Sequence, residues 1–218
     1  MIEDLITYTN TDEFYQNCNL KLESYSLNSK TKISEFILSI TQASYDDFVE
    51  YEEWKIICKN TERIKGFDYD IMMPYPKMKI LEKHPLLWLY MEDQLECEIK
   101  GTPHDISKFT FDLLILLEKE AGNWININDI FRSFKSYMFK TGKVFYIPSS
   151  LEKGIQQICT DQNLTFKITS YETGEDKGYN DRPHTKILIF GNEDVSPYDF
   201  NLGQSYIIAE EFTAERVK

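Results

Sequence analysis

The chain contains 218 residues, 42% of them hydrophobic and 14% aromatic, with 24 basic and 36 acidic side chains and a formal charge of −12. This composition excludes an intrinsically disordered chain, because a protein of this size and apolar content can bury a substantial core. The negative charge repels nucleic acid and anionic lipid, and it favours a basic protein as partner.

The sequence shows no segment typical of a membrane span or an export signal. Its longest apolar run, over residues 111–117, contains Asp112 and is shorter than the roughly 20 residues that a span needs. Residues 1–10 are acidic where a secretory signal is basic. We therefore expect a cytoplasmic protein without membrane contact, and we expect its four widely spaced cysteines to be reduced, buried thiols.

The first third of the chain predicts strands around one helix. Residues 5–10 fit a short strand, and the spacing of apolar residues that starts at Ile33 predicts one long helix over 33–51, or two helices with a break around 43–46. Residues 54–59, and the alternation over 67–73, indicate the two strands of a hairpin.

The stretch HPLLWLYMEDQLECEIKG, at 84–101, predicts a pair of strands. Residues 86–90 are apolar, and Leu95, Cys97 and Ile99 alternate with acidic or basic side chains. Successive side chains of a strand point to opposite faces. We therefore expect Cys97 to be buried in the core and not to share a metal site with its acidic neighbours.

Three helices are predicted next. The first begins at the N-cap Thr102 and ends at Gly122, the second starts near Asn128 and ends near Gly142, and the third starts at the capping box 149–152. We expect the first to be the most buried helix, because its apolar stripe is wide. That stripe comprises Ile106, Phe109, Leu113, Leu116 and Leu117, with Leu114 and Ile115 beside it. The third helix is predicted to bury Leu151, Ile155, Ile158 and Cys159.

Three further strands, at 164–171, 185–190 and 204–212, are predicted to form one antiparallel sheet. The sequence thus predicts an α+β fold in which a helical cluster packs against antiparallel β-sheet. We expect a single domain over 1–218. A candidate division into two lobes lies near residue 101, where extended sequence gives way to helical sequence.

No motif of a known catalytic or metal centre is present. The chain lacks a His-Glu-x-x-His zinc motif and a Gly-x-Ser-x-Gly nucleophile, and Gly142 and Lys143 lack the other residues of a phosphate-binding loop. We assign no catalytic residue, metal ligand or cofactor and favour a protein without enzymatic activity. An enzyme stays an open alternative, because catalytic side chains from distant segments leave no local pattern.

Two acidic clusters are predicted to contact a basic protein partner, with Trp and Tyr side chains as anchors. The first cluster, at the far end of the helix predicted over 33–51, comprises Asp46, Asp47, Glu50, Glu52 and Glu53. A solvated surface without a partner is its alternative. The second cluster comprises Glu92, Asp93, Glu96 and Glu98, with Trp88 and Tyr90 nearby.

Residues 132–146 contain basic and aromatic side chains and no acid. Together with a histidine at a predicted helix start, this segment fits a site for a phosphorylated small molecule or a nucleotide. This alternative function, as a binding domain or an enzyme, would use His104, Arg132, Lys135 and Lys143. The same cations also fit a solvated helix face, or pairing with the acidic half of this protein.

In size, acidity and mixed α and β character, the chain is similar to bacterial immunity proteins, the inhibitors that cells keep against their own toxins. The resemblance implies a protein-binding module that neutralises a basic partner, because opposite charge accelerates capture and supports tight complexes. A bacterial source also fits the scarcity of alanine beside abundant Lys, Asn and Ile, which indicates an AT-rich genome.

Overall fold

The computed structural model describes residues 1–42, 50–67, 72–74, 77–130, 144–173, 185–191 and 205–218. Its described helices and strands form an α+β fold, as predicted. The chain divides into two compact units: unit 1 comprises Met1–Lys83 and His184–Lys218, and unit 2 comprises His84–Pro183. That the units form one domain with two lobes stays a prediction.

The helices and strands are numbered along the chain. The helices are α1 (Ile2–Thr9), α2 (Asp12–Asn17), α3 (Trp88–Met91), α4 (Ile106–Ala121), α5 (Ile127–Ile130) and α6 (Glu152–Asp161). The strands are β1 (Cys18–Asn28), β2 (Ile33–Gln42), β3 (Glu50–Lys59), β4 (Arg63–Lys65), β5 (Met72–Pro74), β6 (Lys77–Leu81), β7 (Gln94–Lys100), β8 (Val144–Pro148), β9 (Thr165–Glu172), β10 (Lys186–Gly191), β11 (Tyr206–Ala209) and β12 (Glu211–Arg216).

Unit 1 contains two antiparallel sheets that share one apolar core. Their strand orders, within the described residues, are β12-β3-β2-β1-β5 and β4-β11-β10-β6. The larger sheet contributes Leu20, Phe36 and Ile56 to this core, and the smaller sheet contributes Leu188 and Ile207. Helix α1 packs against β6 and β12.

Residues 33–51, where the structure describes them, do not form the predicted helix. They contain β2 and the start of β3, which pair antiparallel. The apolar residues of this segment also fit the alternation of a strand, in which every second side chain is buried. Phe36, Leu38 and Ile40 follow this alternation, and all three are buried. The β-branched residues of this segment favour the strand. The strand predicted at 5–10 is also wrong, because α1 covers most of it.

Several strands were predicted correctly, but with the wrong neighbours. Residues 54–59 lie in β3, whose neighbours among the described strands are β2 and β12. Of the predicted partner segment 67–73, residues 68–71 lie outside the described residues. The three C-terminal segments do form strands, and the second and third pair antiparallel as predicted, β10 with β11. The first does not join them, because β9 pairs with β7, and the end of the third segment enters β12, which pairs with β3. The prediction of one sheet for all three segments is therefore wrong. Local sequence indicates a strand, whereas the partner is selected by distant segments.

Unit 2 packs helices on one face of a three-stranded antiparallel sheet with the order β8-β7-β9. Helix α4 packs against α6, and α6 packs against β9. The core joins Leu95, Cys97 and Ile99 of β7 to Phe109 and Leu113 of α4. The predicted alternation of β7 and the predicted burial of Cys97 are therefore confirmed.

A short helical segment replaces the strand predicted at 86–90. The Nδ1 atom of His84 accepts a hydrogen bond from the Leu86 N–H at 3.2 Å, and Pro85 occupies the first position of the 3₁₀ turn Pro85–Leu87. Proline fits this position because it has no N–H to satisfy and its φ is fixed. The turn continues directly into α3.

Helix α4 begins later than predicted and is less buried. Its N-cap is Asp105 and not Thr102, and the Asp105 carboxylate accepts from the N–H groups of the next turn at 2.8 and 3.0 Å. It ends before Gly122, as predicted. The expectation of the most buried helix is wrong, because the residues on its outer face are exposed: Phe111 by 61%, Leu114 by 43% and Ile115 by 47%.

Helix α6 is confirmed, but it begins at Glu152 after the 3₁₀ turn Ser149–Leu151, and the predicted capping box at 149–152 does not form. The four predicted residues are buried, Leu151 in the turn and Ile155, Ile158 and Cys159 in the helix. All four cysteines are free thiols and buried, also as predicted. Helix α5 starts close to the predicted position, but residues 131–143 lie outside the described residues. None of the described helices is long and apolar enough to span a membrane.

Candidate functional site

The sheet of unit 2 has one covered face and one open face. The apolar side chains of β7 are buried against the helices, so Glu96 and Glu98 lie on the opposite face. The register places Tyr146 of β8 across from Glu96, and Glu172 of β9 across from Gln94. We call the surface formed by Glu96, Glu98, Tyr146 and Glu172 the acidic sheet face.

Tyr146 is the aromatic centre of the acidic sheet face. Its side chain is 53% exposed, and its hydroxyl donates to Oε1 of Glu96 at 3.4 Å. The charge of Glu96 raises the pKa of Tyr146, and desolvation, the hydrogen bond to Glu96 and the charge of Glu172 raise it further. The phenol therefore stays protonated, and its ring lies next to Glu96 of the central strand, with Glu172 on the far strand of the same sheet.

The negative charge of this face is concentrated around Glu96. At the other end, Glu98 forms an ion pair with Lys100 at 2.8 Å, and the register places Lys167 across from Glu98. These two cations offset part of the repulsion between neighbouring carboxylates. A basic ligand is consequently attracted to the end of the face that holds Glu96 and Glu172.

A second exposed tyrosine borders the same sheet. Tyr171 is 55% exposed and donates its hydroxyl hydrogen to the carboxylate of Asp93. This hydrogen bond raises the pKa of Tyr171, and desolvation and the charges of Asp93 and Glu152 raise it further. The register places Tyr171 across from buried Leu95, so its side chain lies on the face of the sheet that the helices cover, at the edge strand β9.

The second predicted acidic cluster divides between structural and exposed roles. The Glu92 carboxylate accepts hydrogen bonds from the Ser150 N–H at 2.7 Å and from Oγ of Ser149 at 3.1 Å. It thereby caps the turn that leads into α6. Of the other predicted members, Trp88 and Tyr90 are half-buried, Asp93 accepts from Tyr171, and Glu96 and Glu98 lie on the acidic sheet face.

The first predicted acidic cluster lies on a strand where the structure describes it. Glu52 of β3 accepts a hydrogen bond from Nε1 of Trp54 at 3.1 Å and forms an ion pair with Arg216 at 2.9 Å. Glu53 follows it on the same strand. The rest of the cluster, Asp46, Asp47 and the side chain of Glu50, lies outside the described residues. As an interface, this cluster stays a prediction.

The predicted phosphate site is described only at His104. Its Nε2 lies 2.6 Å from Nδ2 of Asn163, and the side chain is exposed just before the N-cap of α4. The three cations predicted to act with it, Arg132, Lys135 and Lys143, lie outside the described residues. The phosphate-binding alternative stays a prediction.

Sequence reasoning missed Tyr146 and Glu172 as members of one surface. The alternation in β8, with Phe145 and Ile147 directed to the core and Tyr146 between them, was a usable signal for the exposed tyrosine. Glu172 offered no comparable signal, because its position on the same sheet face as Tyr146 depends on two strands pairing with β7.

Metal-ligating side chains do not gather in the described part of the chain, where no group of three or more could hold an ion. Comparison with known proteins gives no match to a protein-family model, to a curated protein or to a solved structure.

Proposed function

We propose that this chain is a protein-binding module of the immunity or inhibitor type, which captures and neutralises a basic protein through the acidic sheet face. The observation that supports this most directly is the half-exposed ring of Tyr146 next to Glu96, with Glu172 on the same face of the sheet. Tyrosine is enriched among the residues that contribute most to protein interfaces, because it adds a large rigid surface at a low entropic cost.

A basic side chain of the partner gains from both parts of this arrangement. An arginine guanidinium stacks on a tyrosine ring, which contributes about 0.5–2 kcal/mol, and it also fits a carboxylate in a bidentate geometry. The hydrogen bond between Tyr146 and Glu96 holds both groups in place before binding. Less conformational entropy is then lost when the complex forms.

The charge of the whole chain supports the same function. A formal charge of −12 attracts a basic protein over distances of about the Debye length, roughly 8 Å in physiological salt. Association is therefore expected to slow as salt is added. A cytoplasmic location and a bacterial source are part of this proposal.

Affinity capture from the native host at low and moderate salt, with bound proteins identified by mass spectrometry, tests the proposal. We expect one basic protein at stoichiometric amount. The variant Glu96→Lys/Glu172→Lys should lose it, whereas Glu13→Lys/Glu215→Lys, a matched reversal at exposed positions of unit 1, should retain it.

The anchor is tested on the captured partner. Tyr146→Ala should weaken binding by about tenfold, equal to about 1.4 kcal/mol. Equal capture by the two charge-reversed variants, or the absence of any stoichiometric protein, would contradict the proposed function.

A further inference from the structure

Unit 1 contains a groove that none of the sequence patterns indicated. It has a volume of 580 Å³ and lies between α1, β6 and β12. Its apolar lining comes from Ile2 and Ile6 of α1, Ile80 of β6 and Phe212 of β12. A volume of this size is within the range of about 300–1,000 Å³ that is usual for ligand sites.

The groove follows from the lengths of the elements around it. Among the described strands, β12 and β6 each pair with one neighbour only, so each presents an edge. Helix α1 packs against both strands, but its 8 residues extend about 12 Å, whereas the 6 residues of β12 extend about 20 Å. Three consecutive residues of β12, Glu211, Phe212 and Thr213, line the groove, so the edge of this strand lies beside it with backbone groups that can pair with an added strand.

The groove is lined by two lysines, Lys79 and Lys186, and by three glutamates, Glu3, Glu210 and Glu211. Glu3 is exposed to solvent, and Glu210 accepts a hydrogen bond from Nδ2 of Asn60 at 2.6 Å. At one border, Lys186 forms an ion pair with Glu82 at 3.1 Å. At the other, Glu211 forms one with Lys59 at 2.6 Å. No described residue forms an ion pair or a hydrogen bond with the ammonium of the half-buried Lys79. An ammonium beside an apolar floor attracts a ligand that carries a carboxylate next to an apolar group.

We propose that this groove binds the C-terminus of an extended peptide that ends in a large apolar residue. The terminal side chain would lie on the floor formed by Ile6, Ile80 and Phe212, the terminal carboxylate would pair with Lys79, and the peptide backbone would add to the edge of β12. The C-terminal residue presents its side chain and its carboxylate from the same Cα. Strand addition at an edge beside a groove supplies main-chain hydrogen bonds that a fatty acid cannot make.

The test uses defined ligands and the full chain. The peptide acetyl-Ala-Val-Leu with a free carboxylate, its C-terminal amide, and dodecanoate are each titrated into ¹⁵N-labelled protein at millimolar concentration. We expect the free peptide to shift amide resonances of α1, β6 and β12. We expect the amide to bind at least about fivefold more weakly, the factor lost with a partly exposed ion pair.

Three variants locate the site. Lys79→Gln should weaken binding of the free peptide about fivefold and leave the amide unaffected, while Lys30→Gln, at an exposed lysine of the turn between β1 and β2, should change neither. Thr7→Trp, at an exposed position of α1 on the groove wall, should abolish binding by filling the groove with the protein still folded.

Two results would overturn the proposal. One is the absence of shifts with the free peptide, or equal affinity for peptide and amide. The other is binding of dodecanoate alone, with the same dependence on Lys79 and Thr7, which would assign the groove to a fatty acid. Neither result bears on the acidic sheet face, since the two sites lie in different units.

Discussion

His84 makes unit 2 sensitive to mild acid. Its side chain is only 5% exposed, its Nδ1 accepts the Leu86 N–H, and its ring lies 4.9 Å from the ring of Trp124. The proton of the neutral ring is therefore on Nε2, which has no hydrogen-bond partner among the described residues. Burial lowers the pKa of His84 from 6.5 to about 4.

The direction of the effect follows from this lowered pKa. Above pH 6.5 the imidazole is neutral in both states, and stability does not depend on it. As the pH falls from 6.5 to 4, the unfolded chain binds a proton that the folded chain does not, so stability is lost across this window. The complete loss is about 3.4 kcal/mol, of which about 2 kcal/mol is reached at pH 5.

Urea unfolding at pH 7 and pH 5 measures this loss. In a Trp54→Phe background, the remaining tryptophans, Trp88 and Trp124, lie in unit 2, and their fluorescence follows that unit. His84→Asn keeps an acceptor for the Leu86 N–H but removes the titration. We expect the difference in stability between the two pH values to be about 2 kcal/mol smaller than with His84.

The matched control is His104→Asn, the same substitution at an exposed histidine of the same unit. The comparison rests on the difference between two pH values, so a general loss of stability in either variant does not disturb it. The same decrease between pH 7 and pH 5 in the protein that retains His84 and in the His84→Asn variant would refute the reasoning.

Two further predictions concern the packing and capping of α6. A Cβ at Gly154 would lie 2.7 Å from Cδ2 of Leu116, so we expect Gly154→Ala to destabilise unit 2 by about 1 kcal/mol, and to stabilise it by a similar amount in a Leu116→Ala background. A double-mutant cycle of urea unfolding measures both values, and a gain in both backgrounds would exclude this contact. Because the Glu92 carboxylate accepts from the Ser150 N–H, Glu92→Ala should cost about 1–2 kcal/mol in the same assay, whereas Glu96→Ala on the acidic sheet face should change stability by less than about 0.5 kcal/mol. Equal losses for these two variants would show that Glu92 is not a structural cap.

The elements of unit 2 were largely predictable because their signals are local. The alternation of apolar residues in β7, the stop at Gly122 and the spacing of Ile155, Ile158 and Cys159 in α6 each specify an element without reference to a distant partner. The exposure of the outer face of α4 was not predictable. A wide apolar stripe shows which sides of a helix are apolar, but it does not show which of those sides another element covers.

The candidate sites depended on pairing between distant segments. Glu96 and Glu98 were found from their carboxylates, but Tyr146 and Glu172 join them only through the β8-β7-β9 register. The groove in unit 1 is formed by α1 with β6 and β12, which are separated by well over a hundred residues in the sequence. Residue types and spacing within one segment do not show which distant segments will pack against it.

The division of the chain into units has a consequence for its synthesis. Unit 2 is one uninterrupted stretch, His84–Pro183, whereas unit 1 needs both Met1–Lys83 and His184–Lys218. Every strand partner of β7 is translated before β10, so the sheet of unit 2 needs no later segment. By contrast, β4 and β6 pair with β11 and β10 and have no partner in their sheet until those two strands are made. In the order of synthesis, the strand edges of unit 1 therefore stay unpaired for longer than those of unit 2.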